Sequence, residues 1–264
     1  MKTFLYKIDC VTNLHVGSGD VNYNVVDNEV EKDSVLDCPV IHSSGVKGAL
    51  RDAYPDKEEA RRIFGSPASA DNSFSGGAVK FMDAFLLSRP LRVRSEKSAL
   101  SCIQATTPEY LNHLIRQMNM LSCRPDGLPE TAELDPDAVG ALFGNAAFLT
   151  TESGIRVEDE DTAVLPADFP GLDPLKKILG PRFALARSLD DYPLPVIARN
   201  CLEDGRSVNL WYEEYVPHGS VFYLFALAPD RKDVAWMDGQ LVQFGGNASI
   251  GYGFTRISRW GEEA

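Results

Sequence analysis

The chain lacks most of what the common function classes need. Its five cysteines, Cys10, Cys38, Cys102, Cys123 and Cys201, are odd in number and form no CxxC pair. That argues against a disulfide framework or a structural zinc site and suits reduced thiols in a cytoplasm. No apolar run is long enough to cross a bilayer, and charges interrupt the apolar residues after Met1 too soon for a signal peptide. A soluble, cytoplasmic protein with no membrane partner is the expectation. HExxH, GxSxG, GxGxxG and the Walker pattern are all missing, so ordinary hydrolases and dinucleotide enzymes find no support. Basic residues are also short, 26 Lys and Arg against 38 Asp and Glu. A formal charge of -12 argues against nucleic-acid binding through the overall field.

The deficit is local. Between Asp126 and Asp168 eleven acidic residues face a single basic one, Arg156, so the remainder is close to neutral and local basic grooves stay possible. The acidic stretch reads as a solvated insertion. With 264 residues, 44% of them hydrophobic, one elaborated domain is expected. Its core would come from 1–125 and 195–264, with the insertion over about 126–194.

Residues 3 to 16 alternate, with Tyr6, Ile8, Cys10, Leu14 and Val16 on one face and Lys7, Asp9, Asn13 and His15 on the other. This is the period of a half-buried strand, and it turns His15 away from the core. A long polar loop then runs through Asn22 to Asp37. Ser43-Ser44 opens a helix whose Val46, Ala49, Leu50 and Ala53 form one apolar stripe. A strand over 78–87 follows, then a second after Pro90 with Arg92 and Arg94 on one face. Thr107-Pro108-Glu109 starts another helix, with Leu111, Leu114, Ile115, Met118 and Leu121 on its apolar face. Pro195 to Cys201 and the almost wholly apolar Val221 to Leu227 read as strands, the latter central. Phe254 to Trp260 reads as the last strand. The order fits a ferredoxin-like or RRM-like α+β unit with large insertions.

Four constellations could carry chemistry. The segment 245–253 holds Gly245, Gly246, Gly251 and Gly253; such a loop lets backbone approach a ligand and offers N–H groups to phosphate, or is simply a hairpin loop. Lys47 and Arg51 beside a helix start outline a phosphate site, although most such pairs are solvated surface. His15 with Asp27 and Asp20 could hold a metal or move a proton, although a lone loop aspartate is usually a turn former. Leu210 to Pro217 sets Glu213 and Glu214 among Trp211, Tyr212 and Tyr215, which packing alone would explain.

Taken together, His15-Val16-Gly17-Ser18-Gly19, Val25-Val26-Asp27, Pro39-Val40-Ile41 and Ser43-Ser44-Gly45-Val46-Lys47-Gly48-Ala49-Leu50-Arg51 resemble the opening of RAMP proteins of type III CRISPR effectors. Gly77 to Leu87, Pro90 to Ser95, and Leu210 to Pro217 resemble in particular the repeated backbone subunit of the type III-B, or Cmr, complex.

The resemblance implies a modified RRM fold, a RAMP fold, stacked as copies of itself in a helical filament along a guide RNA, with other Cmr subunits as partners. It implies a thumb-like hairpin, sought here within 149–190, that kinks the guide–target duplex. It implies an endoribonuclease that cuts target RNA at regular intervals, the rival being a non-cleaving scaffold of the same family. Asp27 falls on the family's cleaving aspartate and would hold a divalent metal, Mg2+ as first choice. His15, Glu213 and Tyr215 fall on positions associated with it. The RNA-gripping candidates are Ser44, Lys47, Arg51, Arg92, Arg94 and the four glycines 245, 246, 251 and 253. Asn28-Glu29-Val30, with Asp33 and Asp37, depart from the family's shorter apolar continuation.

Overall fold

A computed structural model describes residues 1–17, 19, 25–66, 76–95 and 99–260. Asp20, grouped above with His15 and Asp27, lies outside them. The strands are β1 (Lys2–Cys10), β2 (Val40–Ile41), β3 (Lys80–Phe81), β4 (Ala84–Arg94), β5 (Cys102–Thr106), β6 (Phe148–Thr150), β7 (Arg156–Val157), β8 (Glu160–Val164), β9 (Phe183–Ala186), β10 (Val196–Glu203), β11 (Arg206–Glu214), β12 (Val221–Ala228), β13 (Leu241–Gln243) and β14 (Phe254–Arg259). The helices are α1 (Ser43–Ala53), α2 (Ala60–Phe64), α3 (Pro108–Met120), α4 (Pro136–Phe143) and α5 (Leu172–Leu179).

The apolar run at 221–228 becomes β12, and Phe222 to Ala226 are all buried. A strand apolar on both faces must be covered on both faces and flanked on both edges. β12 lies between β1 and β4, antiparallel to each, and β14 closes the far side of β1. The side-by-side order β14-β1-β12-β4, with α1 crossing between β1 and β4, is the ferredoxin-like arrangement. Two single 3₁₀ turns, Arg231–Asp233 and Ala235–Met237, stand where a second crossover helix would lie.

β4 runs unbroken through Pro90, where two strands were expected. β12 pairs with β4 only as far as Ser88 and β7 pairs only from Val93, so the missing N–H of Pro90 falls in a gap between partners. α3 starts as expected, with Thr107 Oγ1 accepting from the Tyr110 amide, and buries Tyr110, Leu111, Leu114, Ile115 and Met118. α1 starts one residue earlier than a serine cap would place it. His42 is its N-cap, and the Asp83 carboxylate accepts from the Ser43 amide at 2.6 Å.

The acidic segment is not a solvated loop. Leu128, Leu134, Val139, Phe143, Phe148, Leu149, Leu175 and Ile178 are buried, and β9, β6, β8 and β7 extend the same sheet beyond β5. Residues 149–190, the range in which a thumb-like hairpin was expected, are therefore built largely into the sheet. The described hairpin that stands off the sheet is β10–β11, a separate two-stranded unit whose residues are nearly all exposed. Asp204 and Gly205, both at positive φ, make its turn.

Candidate active site

β11 ends at the root of the projecting hairpin, and the loop around Asp27 lies along it. The amides of Asp27 and Asn28 both donate to the Tyr212 carbonyl at 3.1 Å, and the Glu214 amide donates to the Asn28 carbonyl at 2.9 Å. In return Oδ2 of Asp27 accepts from the Tyr212 amide at 2.7 Å. A polar loop that cannot bury itself is thus held by backbone bonds on both sides. Asp27 stays exposed, and Oδ1 has no partner among the described residues.

His15 is only 8% exposed, against the expectation that it faces away from the core. The regular strand stops at Cys10, the chain bends at Val11 and Thr12, and Leu14 pairs with Val216, so the alternation that assigned its face no longer applies. Its Nδ1 lies 2.6 Å from the Glu214 carbonyl oxygen. A carbonyl only accepts, so Nδ1 carries the hydrogen, and in the neutral ring Nε2 keeps the lone pair. Gly17 leaves Nε2 its space: a Cβ there would sit 2.9 Å from it.

Glu213, 3% exposed, turns to the other side of the strand. Its Oε1 accepts from Asn247 Nδ2 at 2.5 Å and lies 3.2 Å from Nη2 of Arg199. The Arg199 guanidinium sits 4.6 Å from the Tyr252 ring centroid, and Tyr252 meets Tyr215 edge-on at 6.0 Å. Asp27 and His15, distant in sequence, are therefore both bonded to the four-residue segment Tyr212–Tyr215, which itself carries Glu213 and Tyr215.

The glycines serve close approach more than ligand binding. The Gly246 amide donates to the His15 carbonyl at 2.9 Å, Gly251 to Ala248 and Gly253 to Asn13, so these N–H groups are not free for phosphate. Gly253 is buried, which removes it as a surface contact. Gly245 has φ +71 and no room for a Cβ, which would lie 2.1 Å from the His15 carbonyl oxygen. An open cleft of about 450 Å³ separates this loop from α1, lined by Gly45, Ala49, Asp52, Val242, Gln243 and Gly245.

On α1, Ser44 is exposed and Lys47 and Arg51 are half-buried, with no ion pair engaging either basic side chain among the described residues. The helix start is not an open anion site, because Asp83 already occupies the Ser43 amide. His42 joins the Asp27 loop to this helix: its Nε2 meets Glu31 at 3.1 Å and its Nδ1 meets Asp83 at 3.4 Å. The hydrogen bond to Glu31 holds the imidazole pKa above its ordinary value. Arg92 and Arg94 do share an exposed strand face, but Asp159 takes both, at 2.9 and 3.0 Å. The β7–β8 turn has folded its carboxylates onto the arginines.

Among the described residues no cluster of three His, Cys, Asp or Glu side chains could cage a metal ion. Asp27 keeps one carboxylate oxygen, Oδ1, without a partner among the described residues. Sequence reasoning missed Arg199, Asn247, Tyr252 and the Tyr212 amide. An available signal was Asp204-Gly205, a hairpin turn dipeptide whose strands put Arg199 diagonally across from Glu213.

A family model described as the RAMP superfamily matches residues 7–256. The chain is 27% identical to the CRISPR system Cmr endoribonuclease Cmr4 of Pyrococcus furiosus, covering 98% of this chain and 96% of that one. It is 25% identical to the CRISPR system CMR subunit Cmr4 of Saccharolobus solfataricus, covering 96% and 94%. In fold it matches oligomeric Cmr4 from Pyrococcus furiosus with a TM-score of 0.72 at 21% identity over 99% of each chain. It also matches a chain of the type III-B Cmr-beta complex bound to cognate target RNA, with a TM-score of 0.72 at 22% identity over 97% and 96%.

Proposed function

Because the chain belongs to the RAMP superfamily, we propose that it is a backbone subunit of a type III-B CRISPR effector that grips guide RNA and cleaves the complementary target. The observation that supports this most is that Asp27 and His15 are both hydrogen-bonded to the root of the projecting hairpin, the segment that carries Glu213. A hairpin standing off the sheet can part a duplex, and its root is where a splayed nucleotide would meet those groups. Its neighbours in the assembly are further copies of the chain, the other Cmr subunits and the two RNAs.

The chemistry follows from the tautomer. With Nδ1–H held by the Glu214 carbonyl, Nε2 of His15 accepts the proton of a target 2′-hydroxyl. The 2′-oxygen attacks the adjacent phosphorus in line, the bond to the 5′-oxygen breaks, and that oxygen takes a proton, leaving a 2′,3′-cyclic phosphate and a 5′-hydroxyl. Splaying supplies the in-line geometry that a stacked duplex forbids. Asp27 would hold a divalent cation, Mg2+ by its all-oxygen donors, which supplies charge stabilisation at the phosphate. Glu213 is buried and engaged, so it orients the site and does not touch the reacting atoms.

The test is cleavage of a labelled target by the reconstituted complex, with Mg2+ or EDTA, wild type against Asp27→Asn. Regularly spaced products that vanish with EDTA and with the variant support the reading. Tight guide-dependent binding with no cleavage would leave a scaffold.

A further inference from the structure

Three hydrogen bonds close a ring around the hairpin root. His15 Nδ1 donates to the Glu214 carbonyl at 2.6 Å. Next along the chain, Glu213 Oε1 accepts from Asn247 Nδ2 at 2.5 Å. Beside Asn247, the Gly246 amide donates to the His15 carbonyl at 2.9 Å. The ring links three distant segments, and its one side-chain-to-side-chain link is a buried carboxylate. Arg199, from the opposite hairpin strand, places Nη2 3.2 Å from that carboxylate and its guanidinium face on Tyr252 of the same glycine loop. Asn247 holds φ +63, in the left-handed region that asparagine enters more readily than other side-chain-bearing residues.

From this ring we infer that Arg199 and Asn247 are positioning residues that act through Glu213 to lock the projecting hairpin against the glycine loop, and so hold His15 and Asp27, which bond Glu214 and Tyr212 of the same strand, in fixed relation. A buried carboxylate needs both the charge of Arg199 and the amide of Asn247. Losing either loosens the ring at the same link. The hairpin's outer half, nearly all exposed, has no comparable anchor among the described residues, so its angle to the site is set at this root. The inference rests on the cleavage reading above, and its test has one arm that does not need cleavage.

Amide hydrogen exchange on the purified chain compares wild type with Arg199→Gln. Faster exchange in both 206–214 and 245–253 is expected, and unchanged exchange in 245–253 overturns the inference. In the reconstituted complex, Arg199→Gln and Asn247→Ala should each cut the rate at saturating target about tenfold or more with target affinity unchanged. Arg199→Lys should recover part of that loss. Arg199→Gln added to Glu213→Gln should cost nothing further, whereas multiplying losses would show that Arg199 acts independently of Glu213 and sink the idea. A wild-type complex that does not cleave, with the exchange result as expected, sinks the cleavage reading alone.

Discussion

The amide of Tyr212 donates to Oδ2 of Asp27 at 2.7 Å across 185 residues of chain, so the carboxylate is mounted on the hairpin root and moves with it. Asn at position 27 keeps an oxygen for that bond but loses the negative charge. Asp27→Asn is expected to change stability by less than about 0.5 kcal/mol and to lower target cleavage by about 100-fold or more. Thermal denaturation together with single-turnover cleavage checks both.

Gly245→Ala should act on the imidazole from behind. The new methyl would enter the space of the His15 carbonyl at a left-handed φ, a strain of about 1–3 kcal/mol. Gly17→Ala intrudes on Nε2 itself, where the ring can shift. The first variant should lower the unfolding midpoint, while the second should lower cleavage at nearly unchanged stability. Denaturant titration and cleavage rates separate them.

Lys47 has no ion-pair partner among the described residues, whereas Arg92 and Arg94 share Asp159. Lys47→Ala should flatten the salt dependence of guide binding by about one unit of log–log slope. Arg92→Ala should flatten it less. Guide affinity measured across a salt series decides, and equal slopes in the two variants would remove the distinction.

His42 gives the Asp27 loop a pH dependence. Its folded pKa lies above the ordinary 6.5, chiefly through Glu31, so the folded state prefers the protonated ring. That stabilisation is complete below about pH 6.5 and fades as pH rises through the raised value. The ring is half-exposed, so screening keeps the effect below about 1 kcal/mol. Wild type should exceed His42→Gln in stability at pH 6 by more than at pH 8.5, as read by urea denaturation.

Elements whose signal is local were legible in the sequence. The α3 start at Thr107-Pro108, its apolar face and the buried β12 all stand where periodicity placed them. His15 was misplaced because alternation was carried past Cys10, and nothing local marks where a strand bends out of register. The thumb was sought in the acidic stretch because charge suggested solvent, yet apolar residues such as Phe143 and Leu149 anchor that stretch. Asp27 stood out by resemblance alone. What holds it is a backbone amide, which no side chain announces, and the Glu213–Asn247 contact depends on tertiary folding that sequence spacing cannot show.

The pairing of β1 sets the timing of folding. Lys2 faces Ala228 and Cys10 faces Thr255, so both neighbours of the first strand are made more than two hundred residues after it. At a synthesis rate of roughly 5–20 residues per second, Phe4, Leu5, Tyr6 and Ile8 wait roughly 10 to 40 s with neither edge paired. A nascent strand of that kind is a template for aggregation, and such long-range closure folds slowly. Yield in a cell should therefore depend on what shelters β1 on the ribosome as well as on the stability of the finished sheet.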